Sequence, residues 1–271
     1  MKKQGTPSAV GAASTEPVRS IPPWLAPIVQ EFELNRPAFV TVDDVRRSLP
    51  RDSDAARQAV VELVRRGWLR PLGVRGTYEF IPGAAAGPYP SGDPWLVLRA
   101  ELARHPGKLH VGASSAAWLR GYAQRPPPRH VVVVPSGAWV PRPVRAGYRV
   151  LATSPAPASA VIDGLPVPTP AELLAEVAQV APRLNLDAAQ GWLRRLLEDT
   201  TPDELVRVLS DRDDRTKARA GYVAEVCGAA RHADAIAALR PFRGGPFFTG
   251  PRRRGAPYAA RWRVYDSGKI A

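Results

Sequence analysis

The chain is short of cysteine, lysine and long apolar runs, and each shortage removes a class of function. Cys227 is the single cysteine among 271 residues, so no disulfide can staple the fold, and a reducing compartment suits it. No apolar run approaches the roughly 18–20 residues that a membrane span requires. Lys2 and Lys3 are followed by Gly, Ser, Thr and Pro rather than by an apolar core, which argues against a signal peptide. A soluble, cytoplasmic protein with no membrane partner is expected.

Lysine occurs only at positions 2, 3, 108, 217 and 269, and this bears on catalysis. A nuclease of the PD-(D/E)xK type needs an acid two residues before a lysine, to hold a metal and polarise a phosphate. None of the five lysines has one. A nucleotidyltransferase would carry Gly-Ser followed by a closely spaced acid pair, but after Ser115 no acid occurs before Asp163. His105, His110, His130, His232 and Cys227 are too scattered for a metal-ligand set. Ser114 and Ser115 lack the Gly-x-Ser-x-Gly setting of a nucleophile and read as helix-capping residues. No catalytic residue, metal or cofactor is expected.

What is present is ordinary globular composition, 45% hydrophobic and 23% charged, with a formal net charge of +13. Such a balance points to a polyanionic partner. Arginine supplies 33 of the 38 basic residues, so where the charge sits carries more information than how much there is.

Residues 1–20 read as a flexible leader. From 21 to 82 three helices and a hairpin follow in quick order. Pro22-Pro23 opens the first, running through Trp24, Ile28, Val29 and Phe32. Thr41 caps the second, with Asp43 and Asp44 in its first turn, Val42, Val45 and Leu49 inward, and Pro50 at its end. Asp52 or Ser53 caps the third, whose inward residues are Ala56, Val60, Leu63 and Val64; Gly67 stops it. Two β-prone runs, 68–74 and 77–81, flank a turn at Arg75-Gly76.

That order is the winged helix-turn-helix order, and it assigns roles. The third helix enters the major groove with its N-terminal half against base edges. Ser53, Asp54, Arg57 and Gln58 lie there, and Arg and Gln suit bidentate contacts to guanine and adenine. Arg46, Arg47, Arg51, Arg65, Arg70 and Arg75 are candidates for phosphate or wing contacts. Double-stranded DNA is the expected partner.

Residues 83–92 read as a linker, and 93–271 as a larger, mixed α/β domain, giving an α+β chain overall. Strands are expected at 129–134, 148–151, 159–162 and 165–167. Helices are expected from Asp93, at 114–121, 170–181, 187–199, 202–210, 215–229 and 232–239. Two aromatic β-prone pieces follow, at 246–249 and 261–265. Residues 82–271 carry a net +10 against +3 for residues 1–81. Acids are absent between Glu101 and Asp163, where Arg120, Arg125, Arg129, Arg142, Arg145 and Arg149 fall, and the tail adds Arg252, Arg253 and Arg254. Solvated surfaces normally mix both signs, so this basic set is expected to contact phosphates without reading bases.

Three stretches together resemble the AbiEi family of antitoxins. They are Arg65-Arg66-Gly67-Trp68-Leu69 with its hairpin 75–82, the run Gly112-Ala113-Ser114-Ser115-Ala116-Ala117-Trp118-Leu119-Arg120-Gly121, and Pro128-Arg129-His130 with Val131–Pro135, followed by Val167-Pro168-Thr169-Pro170-Ala171-Glu172-Leu173. The resemblance implies a type IV toxin–antitoxin system. Its winged helix would bind inverted repeats in its own promoter and repress the operon. The second domain would counteract a nucleotidyltransferase toxin without a stable complex. The alternative is an orphan winged-helix adaptor binding RNA or an acidic protein.

Overall fold

Two consecutive prolines and a threonine set the entry to the fold. In the computed structural model, which describes residues 20–49, 53–85, 92–153, 160–184 and 186–267, Pro22 and Pro23 form a turn rather than a helix start. The first helix, α1, begins later, at Ala26–Asn35, with Pro27 in its first turn. Trp24, expected within the helix, therefore sits outside it and is 47% exposed. Strand β1 (Val40–Thr41) runs straight into helix α2 (Val42–Arg47). The Thr41 hydroxyl accepts from the Asp44 amide, and the Asp44 carboxylate accepts from the Thr41 amide at 2.7 Å, a reciprocal cap.

Helix α3 (Ser53–Arg65) ends at Gly67, whose φ of 72° lets its own amide bond to Val64 and that of Trp68 reach back to Leu63. Strands β2 (Leu69–Pro71) and β3 (Thr77–Phe80) form a hairpin, and β1 adds to β3 so that the antiparallel order is β1-β3-β2. Ile28, Phe32, Val45, Ala56, Ala59, Val60, Leu63, Trp68 and Phe80 close one core, with Trp68 stacked on Phe80 at 6.3 Å between ring centroids.

The chain divides into two units, Met1–Ala100 and Glu101–Ala271, and the division falls within helix α4 (Leu96–Arg104). In the second unit β4 (His110–Val111), β5 (Val131–Pro135) and β6 (Arg149–Thr153) form a sheet, β4 antiparallel to β5 and β6 parallel to it. Val131 to Val134 are all buried, as a central strand with both faces covered requires. Helix α5 (Ala113–Leu119) lies between β4 and β5 in the chain, and the short α6 (Arg142–Gly147) makes the crossover to β6. A hairpin follows, β7 (Ala160–Ile162) with β8 (Leu165–Val167).

The centre of this unit is α7 (Pro170–Val180), started by a Thr169–Glu172 reciprocal cap and buried on nearly every side. Around it pack α8 (Gln190–Glu198), α9 (Pro202–Ser210) and α10 (Asp214–Val226), with α11 (Ala230–Ala237) against α9 and α10. A last small sheet, β9 (Phe247–Phe248), β10 (Tyr258–Ala259) and β11 (Val264–Tyr265), is ordered β10-β11-β9 and packs on α10. The chain is thus mixed α+β.

One expectation is corrected here. Ser114 and Ser115 do not cap α5. Gly112 occupies the cap position, and the Ser115 hydroxyl accepts from the Val131 amide at 2.7 Å, tying α5 to β5. The carboxylate of Glu176 on α7 takes the Ala113 amide instead, at 2.7 Å.

Candidate nucleic-acid interface

The 3.6-residue period of α3 separates its residues by role. Ala56, Ala59, Val60 and Leu63 face the core, so Arg57, Gln58 and Val61 are left outward, Val61 being 67% exposed. Among the described side chains Arg57 has no ion-pair partner. Arg51 and the side chains of Ser53 and Asp54 lie outside the described residues, as do the residues of the proposed cap at Asp52 and of the stop at Pro50.

Arg46, Arg47, Arg65, Arg66 and Arg70 are engaged with acids. Arg46 reaches Asp43 at 2.6 Å, and Arg47 pairs with Asp44, each three residues apart on α2. Arg65 grips Glu62 through two nitrogens, at 2.8 and 2.6 Å, and Arg66 binds the same carboxylate. Those hydrogen bonds pull the Glu62 carboxyl down to about 2 and push the Arg65 guanidinium up. Arg70 bonds Glu79 across the hairpin at 2.8 Å, which pairs a buried carboxylate that would otherwise be costly. Arg75 is exposed on the turn between β2 and β3, where Gly73 and Gly76 supply φ values of 75° and 67°. Exposed pairs of this kind are worth under about 1 kcal/mol, so a phosphate can compete for the same guanidinium.

The basic residues of the second unit differ among themselves. Arg125, Arg142, Arg252, Arg253 and Arg254 are exposed, with Arg252 lying over the Phe248 ring at 5.0 Å. Arg129 is exposed too, but one terminal nitrogen donates to the carbonyls of Arg145 and Ala146 at 3.1 Å, at the end of α6, a favourable place for a cation. Arg145 reaches the Val140 carbonyl at 3.4 Å, and Arg149 donates to the carbonyl of Arg183. Arg120 turns inward instead. It is half-buried, its Nε donates to the Pro168 carbonyl at 2.6 Å, and burial lowers its pKa.

Sequence reasoning missed the polar centre of this unit. Glu176, buried at 4% exposure, joins two other elements: its Oε2 lies 2.6 Å from His110 Nε2 on β4, and its Oε1 receives the Ala113 amide. A carboxylate can only accept, so the imidazole Nε2 carries the proton. The available signal was an acid set inside an apolar run of the helix, Leu173-Leu174-Ala175-Glu176-Val177-Ala178. Among the described residues, no group of three or more His, Cys, Asp or Glu is arranged to hold a metal ion, and no helix is long and apolar enough to cross a membrane.

Residues 110–226 match the family model of the AbiEi antitoxin C-terminal domain. That stretch is 117 of the 271 residues. The matched stretch runs from β4 to the end of α10 and contains Glu176, His110 and the arginines from Arg120 to Arg149; Arg252, Arg253 and Arg254 lie beyond it. The whole chain is also similar to the crystal structure of the RV2827C protein from Mycobacterium tuberculosis, with a TM-score of 0.76 and 27% identity over 93% of this chain and 94% of that one. No curated protein sequence matches the chain. The matched stretch thus holds the Glu176 centre and most of the acid-free arginine stretch, and leaves the basic tail outside.

Proposed function

We propose that this protein is a DNA-binding antitoxin of a type IV toxin–antitoxin system. In this reading the first unit is a winged helix-turn-helix that binds inverted repeats in its own promoter and represses its operon. The AbiEi domain counteracts a nucleotidyltransferase toxin without forming a stable complex, and the chain works in the cytoplasm without catalysing a reaction. Arg57 and Gln58, with Ser53 and Asp54, read bases, while Arg46, Arg47, Arg51, Arg65, Arg70 and Arg75 hold phosphates. The exposed arginines of the second unit add affinity that is indifferent to sequence.

One observation carries the DNA-binding half. Helix α3 follows α2 closely, precedes an antiparallel hairpin, and leaves Arg57, Gln58 and Val61 outward on one face. That face can offer bidentate donors to a guanine or adenine edge and an apolar contact to a thymine methyl group. The antitoxin half is supported by the match over residues 110–226.

The test compares binding to the DNA upstream of the gene with binding to a random duplex of equal length. Selective binding is expected, and the double variant R57A/Q58A loses selectivity more than total affinity. Equal affinity for both duplexes in the unaltered protein refutes the repressor reading. For the antitoxin half, co-expression with a neighbouring nucleotidyltransferase restores growth, while tagged protein does not retain the toxin on a column. A second reading, an adaptor for RNA or an acidic protein, draws on where the charge sits, a net +10 in residues 82–271 against +3 in residues 1–81. Preference for single-stranded RNA over the upstream duplex favours it.

A further inference from the structure

A cleft of about 320 Å³ opens in the second unit where the end of α7 meets the start of α10. Its wall includes Gln179, Arg183, Asp213, Arg215, Thr216 and Arg219. Three of these residues carry a buried polar atom with no hydrogen-bond partner among the described residues: Gln179 Oε1, Thr216 Oγ1 and Arg219 Nε. Folded proteins leave few such atoms, and three around one cleft call for a cause.

The charge is also out of balance. Arg219 is 6% exposed, and of its donors one Nη reaches only a backbone carbonyl, that of Gln179 at 3.2 Å. No carboxylate answers its charge within the cleft wall except Asp213. That carboxylate already caps α10 by accepting the Thr216 amide at 2.8 Å. Arg183 and Arg215 add two further cations at the same wall. Burial, and then the neighbouring Arg215, bring the Arg219 pKa down to about 10, as expected of a guanidinium lacking its counter-ion.

We propose that this cleft binds a small phosphate ester whose organic part carries an O–H or N–H donor. The phosphate oxygens accept from Arg219 Nε, the Thr216 hydroxyl and the guanidinium groups of Arg215 and Arg183, which are forked donors suited to an oxyanion. The donor on the organic part satisfies Gln179 Oε1, which the phosphoryl oxygens of an ester dianion, being acceptors only, cannot do. The volume agrees, since it lies at the lower end of the range for small-ligand sites and exceeds what one phosphate fills. The α10 N-terminus adds its positive dipole end on the same side. The site would make the antitoxin domain responsive to a metabolite, whatever the first unit binds.

The full chain is titrated with inorganic phosphate, ribose 5-phosphate and a short thymidine oligonucleotide, each at matched ionic strength, by calorimetry and thermal melting. Ribose 5-phosphate is expected to bind saturably, more tightly than phosphate, and to raise the melting temperature. Arg219→Met weakens it about thirtyfold or more, the cost of removing a buried charge partner. Because that variant can disturb packing, Thr216→Val, which keeps shape, and Arg215→Ala, which is exposed, must each weaken binding too. No saturable binding by ribose 5-phosphate, or binding that Arg215→Ala and Thr216→Val both leave unchanged, overturns the proposal. Oligonucleotide binding that outcompetes ribose 5-phosphate overturns it as well, since the site would then be a backbone phosphate contact. Selectivity for the upstream duplex is read separately and is unaffected by these variants.

Discussion

The indole of Trp262 packs against the α-carbon of Gly221, in the space where any other residue would place its β-carbon. The ring is fully buried, its Nε1 donates to Glu225 one turn further along α10 at 2.9 Å, and Phe242 stacks on it at 6.2 Å. Arg261 lies over the same ring at 5.0 Å and binds Glu225 and Asp234 at 2.9 and 2.6 Å. A glycine in the middle of a helix thus holds the last sheet of the chain onto α10.

Gly221→Ala is therefore destabilising although helix propensity favours alanine by about 1 kcal/mol. The added methyl overlaps the ring, and displacing a buried tryptophan forfeits part of the roughly 3–5 kcal/mol its removal would cost. A net loss of about 2 kcal/mol in urea unfolding is expected. An unchanged or raised midpoint shows that the ring does not rest there.

Glu176 supports a second stability test. Glu176→Ala leaves the Ala113 amide and the His110 N–H buried without an acceptor and costs about 3 kcal/mol. Glu176→Gln keeps one carbonyl oxygen for the Ala113 amide, and His110 can accept from the new NH₂ by changing tautomer. That variant loses only about 1 kcal/mol. Equal losses in the two variants would mean that the carboxylate charge is what the site needs, and that neither side-chain volume nor a neutral hydrogen-bonding replacement makes up for it.

Cys227 closes α10, is 3% exposed, and burial pushes its thiol up to about 11 from 9.0. A raised folded pKa means that the unfolded state releases its proton first. The contribution is fully present below about pH 9 and is lost as pH rises toward 11. Tyr122, held up to about 12 mainly by burial, changes stability in the same direction. The cysteine's share is the difference between the native chain and Cys227→Ala, compared at pH 8 and pH 10.5. The native thiol should also resist a thiol reagent at pH 8 until urea unfolds the chain. Rapid labelling without urea contradicts this.

On DNA, Arg75→Ala should weaken binding on every sequence and flatten the salt slope by about one unit. Glu62→Gln should do the reverse. It frees Arg65 and Arg66 from the carboxylate that engages both and removes a negative charge from α3. Tighter binding with a steeper slope is the expected outcome, measured between about 50 and 200 mM salt. If Glu62→Gln weakens binding, the carboxylate positions those arginines instead of competing for them.

Several elements could be read from the chain because their signals are local. Thr41 with Asp44 and Thr169 with Glu172 mark helix starts at a three-residue spacing, and Gly67 marks a stop. The helical period also divided α3 correctly into an inward face and an outward face holding Arg57 and Gln58. Strands β1 and β4 were missed because two residues show no period. Each exists because a distant segment pairs with it, Val40 with Tyr78 and His110 with Val133. Helix α6 was hidden by Pro141, Pro143 and Gly147, which read as a loop. The inward turn of Arg120 was equally hidden, since it depends on the Pro168 carbonyl 48 residues away.

The sequence by itself determined the order of the longer helices and the first hairpin, the helix boundaries at Thr41, Gly67 and Thr169, and the outward face of α3. These depend on contacts within a few residues, where backbone geometry fixes which side chains meet. Only the tertiary structure decided which charges buried in the second unit are neutralised and which are not. Glu176 found His110, and Arg219 was buried beside Gln179 without a carboxylate of its own. Whether a charge is paired depends on neighbours brought from tens of residues away and on how much water is excluded around them. Neither is written in any local stretch of the chain.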